Sequence, residues 1–226
     1  MHAVLEGLLR ANADHADAFA TRFDDVQTGQ RPEAVTVCCS DSRVLQDHLW
    51  DNETPGRVFT CSNIGNRVVQ RTAAGEAVSG DVLYPLLHAG TDLVVVVGHT
   101  GCGAVTAAYD DLTKGLDGPP GIDHCLSLLR PGLEAAIPRL PAGVDREGAV
   151  NRLVERNVDR QVARVQESPD VPGRVTAAGV VYDFQDVYPG RRGEVHLVNV
   201  DGESDVETLR ERYPAVADRV NRLWEP

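Results

Sequence analysis

The sequence predicts an α/β protein with a mainly parallel central sheet flanked by helices. Three observations predict it. Short apolar runs rich in β-branched residues recur at wide intervals, at Ala34 to Cys39, Leu93 to Val97 and Val175 to Phe184. Stretches with helical periodicity separate them, and Gly98 breaks the chain directly after the strongest run. Strands alternating with helices favour parallel pairing, because a parallel neighbour needs a crossover long enough to hold a helix. A chain of 226 residues, 42% of them hydrophobic, suffices for one sizeable core, so a single domain over residues 1–226 is expected.

The elements follow in chain order. Val4, Leu5, Leu8 and Leu9, then Ala16, Phe19, Ala20 and Phe23, recur at helical spacing and predict an N-terminal helical arm over residues 1–24. Such an arm either lies on its own core or clasps a second subunit. Ala34 to Cys39 reads as a buried strand and Arg57 to Cys61 as another. Ala73 to His88 predicts a helix with Val78, Val82 and Leu86 on one face, bent at Pro85. Leu93 to Val97 is the clearest strand, and a helix starts at Gly103, with Cys102 in its first turn. Glycines, prolines and aspartates mark loops at Asp110 to Gly121 and Pro138 to Gly143. Helices are expected at about 122–136 and 146–167, strands at Val175 to Phe184 and Glu194 to Val200, and a short helix after Glu203.

Composition excludes several functions. The net charge of −12 opposes a nucleic-acid or anionic-membrane partner. No apolar run approaches the ~20 residues of a membrane helix, and Glu6, Arg10 and Asp14 stand where a secretory signal would be apolar, so a cytoplasmic location is expected. Lys114 is the only lysine; the acidic balance reads either as a salt adaptation or as a bias toward arginine. Five cysteines, two of them adjacent, do not make a disulfide framework and leave thiols free for a metal.

The chemistry gathers in two motifs. Cys39, Asp41 and Arg43 alternate after one strand, and His99 and Cys102 follow another. Ligands collect at the carboxyl ends of strands in open α/β sheets, which is where both motifs fall. Two thiolates, one imidazole and one carboxylate suit tetrahedral zinc. Arg43 gives Asp41 two positions: on the ion, or paired with the guanidinium, leaving a coordination position to water. A water there supplies hydroxide near neutral pH. Two thiolates make the ion a weaker Lewis acid than one held by three imidazoles, so an alkaline rate optimum is expected. Gly98, Gly101 and Gly103 permit a tight turn beside the ion, and Gly103 is assigned to the substrate side. Cys38 faces away from Cys39 and reads, like Cys61 and Cys125, as a small apolar residue; His88, His124 and His196 read as structural or exposed.

These motifs resemble those of the β-class carbonic anhydrases, and the resemblance runs from about Gln30 to Val200. It implies that Cys39, His99 and Cys102 hold zinc, with Asp41 and Arg43 as a switchable dyad. It further implies that Gln30 donates a hydrogen bond to carbon dioxide or bicarbonate and that Phe59, Ile64 and Tyr84 line an apolar substrate pocket. Asn157 to Val162 and Val181 to Asp183 also resemble stretches of that family. Family members usually carry Arg-Asn where this chain has Ser62-Asn63, and one branch has a tryptophan where this chain has Thr36. Lacking both, the chain is similar to the branch that uses Gln30. The implied reaction is zinc-dependent hydration of carbon dioxide to bicarbonate and a proton, by attack of zinc-bound hydroxide. The implied assembly is a homodimer or a multiple of dimers, with Gln30, Phe59 and Tyr84 reaching a neighbouring subunit's zinc. The alternatives are hydrolysis of a related small molecule such as carbon disulfide, or a noncatalytic zinc or thiol-sensing protein in which Asp41 closes the site permanently.

Overall fold

A computed structural model describes residues 2–115 and 118–224. Its strands are β1 (Ala34–Cys39), β2 (Val58–Asn63), β3 (Val69–Thr72), β4 (Gly75–Val78), β5 (Leu93–His99), β6 (Thr176–Asp183) and β7 (Glu194–Val200). The central sheet has the order β2-β1-β5-β6-β7, and β3 pairs with β4 in a separate hairpin. The first four strands of that sheet are parallel; β7 closes the edge antiparallel to β6. The expected strands Ala34 to Cys39 and Glu194 to Val200 match residue for residue.

One face of the sheet presents Val35, Val37, Val94, Val96, Ala177 and Val181 to the larger core. That core is roofed by helices α2 (Gly80–His88), α3 (Gly103–Lys114), α5 (Arg130–Ala136) and α6 (Arg146–Gln166), following α1 (Ala3–Phe19) and flanking α4 (Pro120–Ser127) in the chain. The opposite face buries Cys38, Val95, Val97 and Val180 under Val44, Leu49 and Trp50. Near β7 it is covered by α7 (Val206–Arg212), whose Leu209 packs with Val200 and Val220.

α6 is the main buttress. Asp145 caps it by accepting the Gly148 amide at 2.7 Å, and Val154, Val158 and Val162 face the sheet. The sheet meets this helix with glycine. A Cβ on Gly98 would lie 2.6 Å from Val158 Cγ2, and one on Gly179 would lie 2.5 Å from Val158 Cγ1. Bare backbone at these two positions lets α6 lie close to β5 and β6.

Three expectations are corrected. The stretch Ala73 to His88 does not start as a helix: Gly75, at φ +120, turns the β3–β4 hairpin, and α2 begins only after Ser79 accepts the Asp81 amide. Val78 shares the helical spacing but is buried as the last residue of β4. The loop expected from Asp110 is helical through Lys114, because Asp110 pairs with Lys114 one turn on and with Arg146, and Gly115 ends the helix at φ +69. Leu116 and Asp117, also in that expected loop, lie outside the described residues. The helix expected at 122–136 is two helices, broken where Pro131 removes an amide early in α5. The N-terminal helix ends at Phe19 and continues as a 3-10 segment to Val26. None of the residues of α1 is buried, so it does not lie on the core of its own chain.

Candidate metal centre

Cys39 ends β1 and His99 ends β5, side by side at the carboxyl edge of the sheet. Cys102 is not in the first turn of α3 but at its N-cap, held in an extended conformation (φ −61°, ψ 118°) by the tight turn at Gly101, φ +60. Gly98 does not turn; it belongs to β5, and its lack of a side chain serves the contact with α6.

The ligand atoms of Cys39, His99 and Cys102 lie within 4.8 Å of one another, and all three residues are buried. The two sulfurs are 4.0 Å apart. The hydrogen bond from the Cys102 thiol pulls Cys39 below the ordinary thiol range. That same bond, with burial, pushes Cys102 up, so the pair shares one proton; the amides of Ala104 and Val105 at the start of α3 act in the opposite direction on Cys102. His99 Nδ1 lies 2.9 Å from the Thr100 carbonyl, which makes it the protonated nitrogen and leaves Nε2 as a lone-pair donor. Nε2 is buried without a hydrogen-bond partner among the described residues. A buried acceptor facing two thiols in this way fits a thiophilic metal ion, with sulfur and imidazole donors converging from two strand ends.

Asp41 lies beside this trio but outside it. Arg43 Nε donates to Oδ1 at 2.9 Å and Nη2 to Oδ2 at 2.7 Å, and the Arg43 amide adds a third bond at 3.0 Å. The guanidinium holds the carboxyl well below the usual carboxylate range. Oδ2 remains 3.9 Å from His99 Nε2. Arg43 is tethered in turn, with Nη2 donating to the Gly101 carbonyl at 3.0 Å.

The expected substrate residues fall into two groups. Ile64, just beyond the register partner of Cys39, and Gly103, whose Cβ position opens into free space, adjoin the trio. Phe59 is paired with Val35, four residues before Cys39, ~13 Å back along the strand. It meets the exposed Tyr84 with ring centroids 6.5 Å apart. Gln30 is exposed and lines a different hollow, with Arg31, Pro55 and Arg57. Within one chain, Phe59, Tyr84 and Gln30 are therefore not brought to the cluster. Cys38 is fully buried on the opposite face, where desolvation pushes its thiol up to about 12.

Several residues that support the site were given no individual role from the sequence. Asp183 accepts Thr100 Oγ1 at 3.2 Å and the amides of Gln185, Val187 and Tyr188, tying the loop after β6 to the His99 turn. Asn151 on α6 accepts the Gly101 amide at 2.8 Å. Asn157 and Gln161, also on α6, bond to the Gly65 carbonyl and the Val68 amide and anchor the segment that carries Ile64. Ser62, which stands where an arginine was expected by resemblance, lies 2.9 Å from Ser40 Oγ and accepts Gln46 Nε2 at 2.8 Å. The signal available for Asn157, Gln161 and Asp183 was their place in the two later stretches of family resemblance.

An α/β sheet with a Cys-His-Cys cluster at its strand ends, and a carboxylate held beside it by arginine, defines a metalloenzyme of the open-sheet class. The carbonic anhydrase family model matches residues 34–191. A carbonic anhydrase of Pseudomonas aeruginosa is 30% identical over 190 residues, covering 82% of this chain and 84% of its own. The solved β-carbonic anhydrase CafA of Aspergillus fumigatus is 27% identical, with a TM-score of 0.65 and coverage of 94% and 96%. A tetrameric β-carbonic anhydrase of Sordaria macrospora shares the fold at a TM-score of 0.67 and 23% identity, over 88% of this chain and 96% of that one. The chain belongs to the carbonic anhydrase family, in its β class, and its reaction is the reversible hydration of carbon dioxide.

Proposed function

We propose that Cys39, His99 and Cys102 hold zinc and that Asp41 and Arg43 are the catalytic dyad beside it. The observation that carries this is the unpartnered Nε2 of His99, buried within 4.8 Å of two cysteine sulfurs. When bound, zinc supplies Lewis acidity that makes a coordinated water ionise near neutral pH. Asp41 stays ionised beside Arg43 and accepts a hydrogen bond from the attacking water, which orients a lone pair toward carbon. Thr100 holds the His99 ring in one tautomer. Ile64 and Gly103 bound the space next to the cluster, where a small apolar substrate is positioned. The pairing of Asp41 with Arg43 supports a working site over one closed permanently by the carboxylate.

Gln30, Phe59 and Tyr84 complete the pocket from a second copy in a dimer or a multiple of dimers. Two observations support this: none of the three is brought to the cluster of its own chain, and α1 exposes Val4, Leu5, Leu8 and Leu9. The tetrameric Sordaria relative is in keeping with it. One central sheet supports a single domain with α1 as its arm. No described helix is long and apolar enough to cross a membrane, and five free cysteines suit the reducing cytoplasm.

Stopped-flow carbon dioxide hydration by wild type and Asp41→Ala, with metal analysis of both, tests the reading. The expected result is one zinc per chain in each and activity only in wild type. Full activity in the variant, or wild type without stoichiometric metal, overturns it. Sedimentation of the active species tests the assembly; a fully active monomer refutes the shared pocket.

A further inference from the structure

Arg43 is held on its edges by Asp41 and Gly101, yet its side chain is 50% exposed. What restrains the plane of the guanidinium is an aromatic face. Phe184, the residue after β6, places its ring centroid 4.6 Å from Arg43 Cζ. The same ring stacks on His99, with centroids 5.6 Å apart and planes inclined by 26°, and meets the edge of Tyr182 at 5.8 Å. Phe184 itself is fixed by backbone: its amide donates to Thr100 Oγ1 at 3.2 Å, and the preceding Asp183 accepts the same hydroxyl. One ring thus touches both the imidazole of the cluster and the cation of the dyad.

We propose that Phe184 is a positioning residue for the reaction, acting through Arg43: its π face holds the guanidinium so that Asp41 keeps both oxygens engaged and Oδ2 directed at the cluster. An aliphatic side chain of similar size fills the volume but lacks the quadrupole that attracts a cation. Losing that attraction frees Arg43 to leave the plane in which it meets Asp41 twice, and the carboxylate loses its orientation. The inference rests on the proposed role of the dyad. Cys39, His99 and Cys102 themselves are kept in the variants, and His99 remains held through Nδ1 by the Thr100 carbonyl, so metal content is measured as a separate quantity.

The test compares Phe184→Leu, Phe184→Tyr and Phe184→Trp with wild type. In the leucine variant, kcat falls roughly 3- to 10-fold while KM and bound metal stay at wild-type levels. Tyrosine and tryptophan restore kcat. The second readout is independent of activity: in metal-free wild type, the Arg43 guanidinium NMR signal, assigned by its loss in Arg43→Lys, is shifted upfield by the ring. It is shifted likewise with tyrosine and tryptophan, and not with leucine. An unshifted signal in wild type overturns the proposal even if the leucine variant does not fold. Wild-type kcat in a folded leucine variant overturns it too, as does a loss expressed in KM or in metal content. If Asp41→Ala retains full activity while the ring shift is present, the dyad reading has failed and the Arg43–Phe184 contact has not.

Discussion

Asp41 keeps a carboxylate oxygen 3.9 Å from Nε2 of His99 without joining the cluster, because Arg43 binds both of its oxygens. A neutral amide at this position retains the shape but not the charge. Asp41→Asn is expected to keep its metal and to lose hydration activity by about 100-fold, the scale of a positioned acid–base group. Metal analysis beside stopped-flow kinetics checks it; loss of metal in the variant would make Asp41 a ligand instead.

Removing the metal should loosen the whole carboxyl edge. The cluster joins the ends of β1 and β5 and the start of α3, and two buried thiols with an unpartnered imidazole nitrogen face one another once the ion is gone. Chelation is expected to lower the melting temperature, and readdition to restore it. An ion present at a thousandfold over its dissociation constant stabilises by about 4 kcal/mol. Calorimetry with and without chelator reads this directly, and Cys102→Ser is expected to melt like the chelated wild type.

Alkaline pH acts on two thiols away from the cluster. Burial pushes Cys38 and Cys61 from 9.0 up to about 12. The native state therefore keeps both neutral, whereas the unfolded chain ionises them near 9.0. Their contribution to stability is complete below pH 9.0 and is lost as pH rises from there toward 12. Denaturation midpoints should fall across that window, less steeply in Cys38→Ala. Native protein at about pH 8 should leave both thiols unalkylated by iodoacetamide.

Gly179 lies beneath Val158, and a methyl group there would sit 2.5 Å from Cγ1. Gly179→Ala is expected to destabilise by about 1–3 kcal/mol through overpacking of α6 against β6. The double variant with Val158→Ala should recover part of the loss, since the two changes share one volume. Additive losses would place the cost elsewhere.

The sheet and the cluster were legible because each wrote a local pattern. β5 announces itself within its own residues: the unbroken apolar run from Leu93 to Val97 and the glycine after it sufficed. Cys39, Asp41 and Arg43 alternate as an extended chain requires, and the structure pairs the last two. The hairpin at Val69–Val78 stayed hidden because Val78, Val82 and Leu86 satisfy helical spacing across a strand end and a helix start. α3 outran its expected end because Asp110 is held by Lys114 and by Arg146, which is 36 residues away. Phe184 and Asn151 act through contacts that span the sheet and α6, and no window of neighbouring residues contains them.

α3 starts directly after Cys102, a proposed ligand, and ends at the sole lysine. Lys114 is twelve residues beyond Cys102, a span of ~18 Å at helical rise. Any dye directed at side-chain amines must attach at that one point, a fixed rod's length from the centre. Cobalt placed in the site would then quench the dye by energy transfer, turning occupancy into an optical signal without altering a single residue.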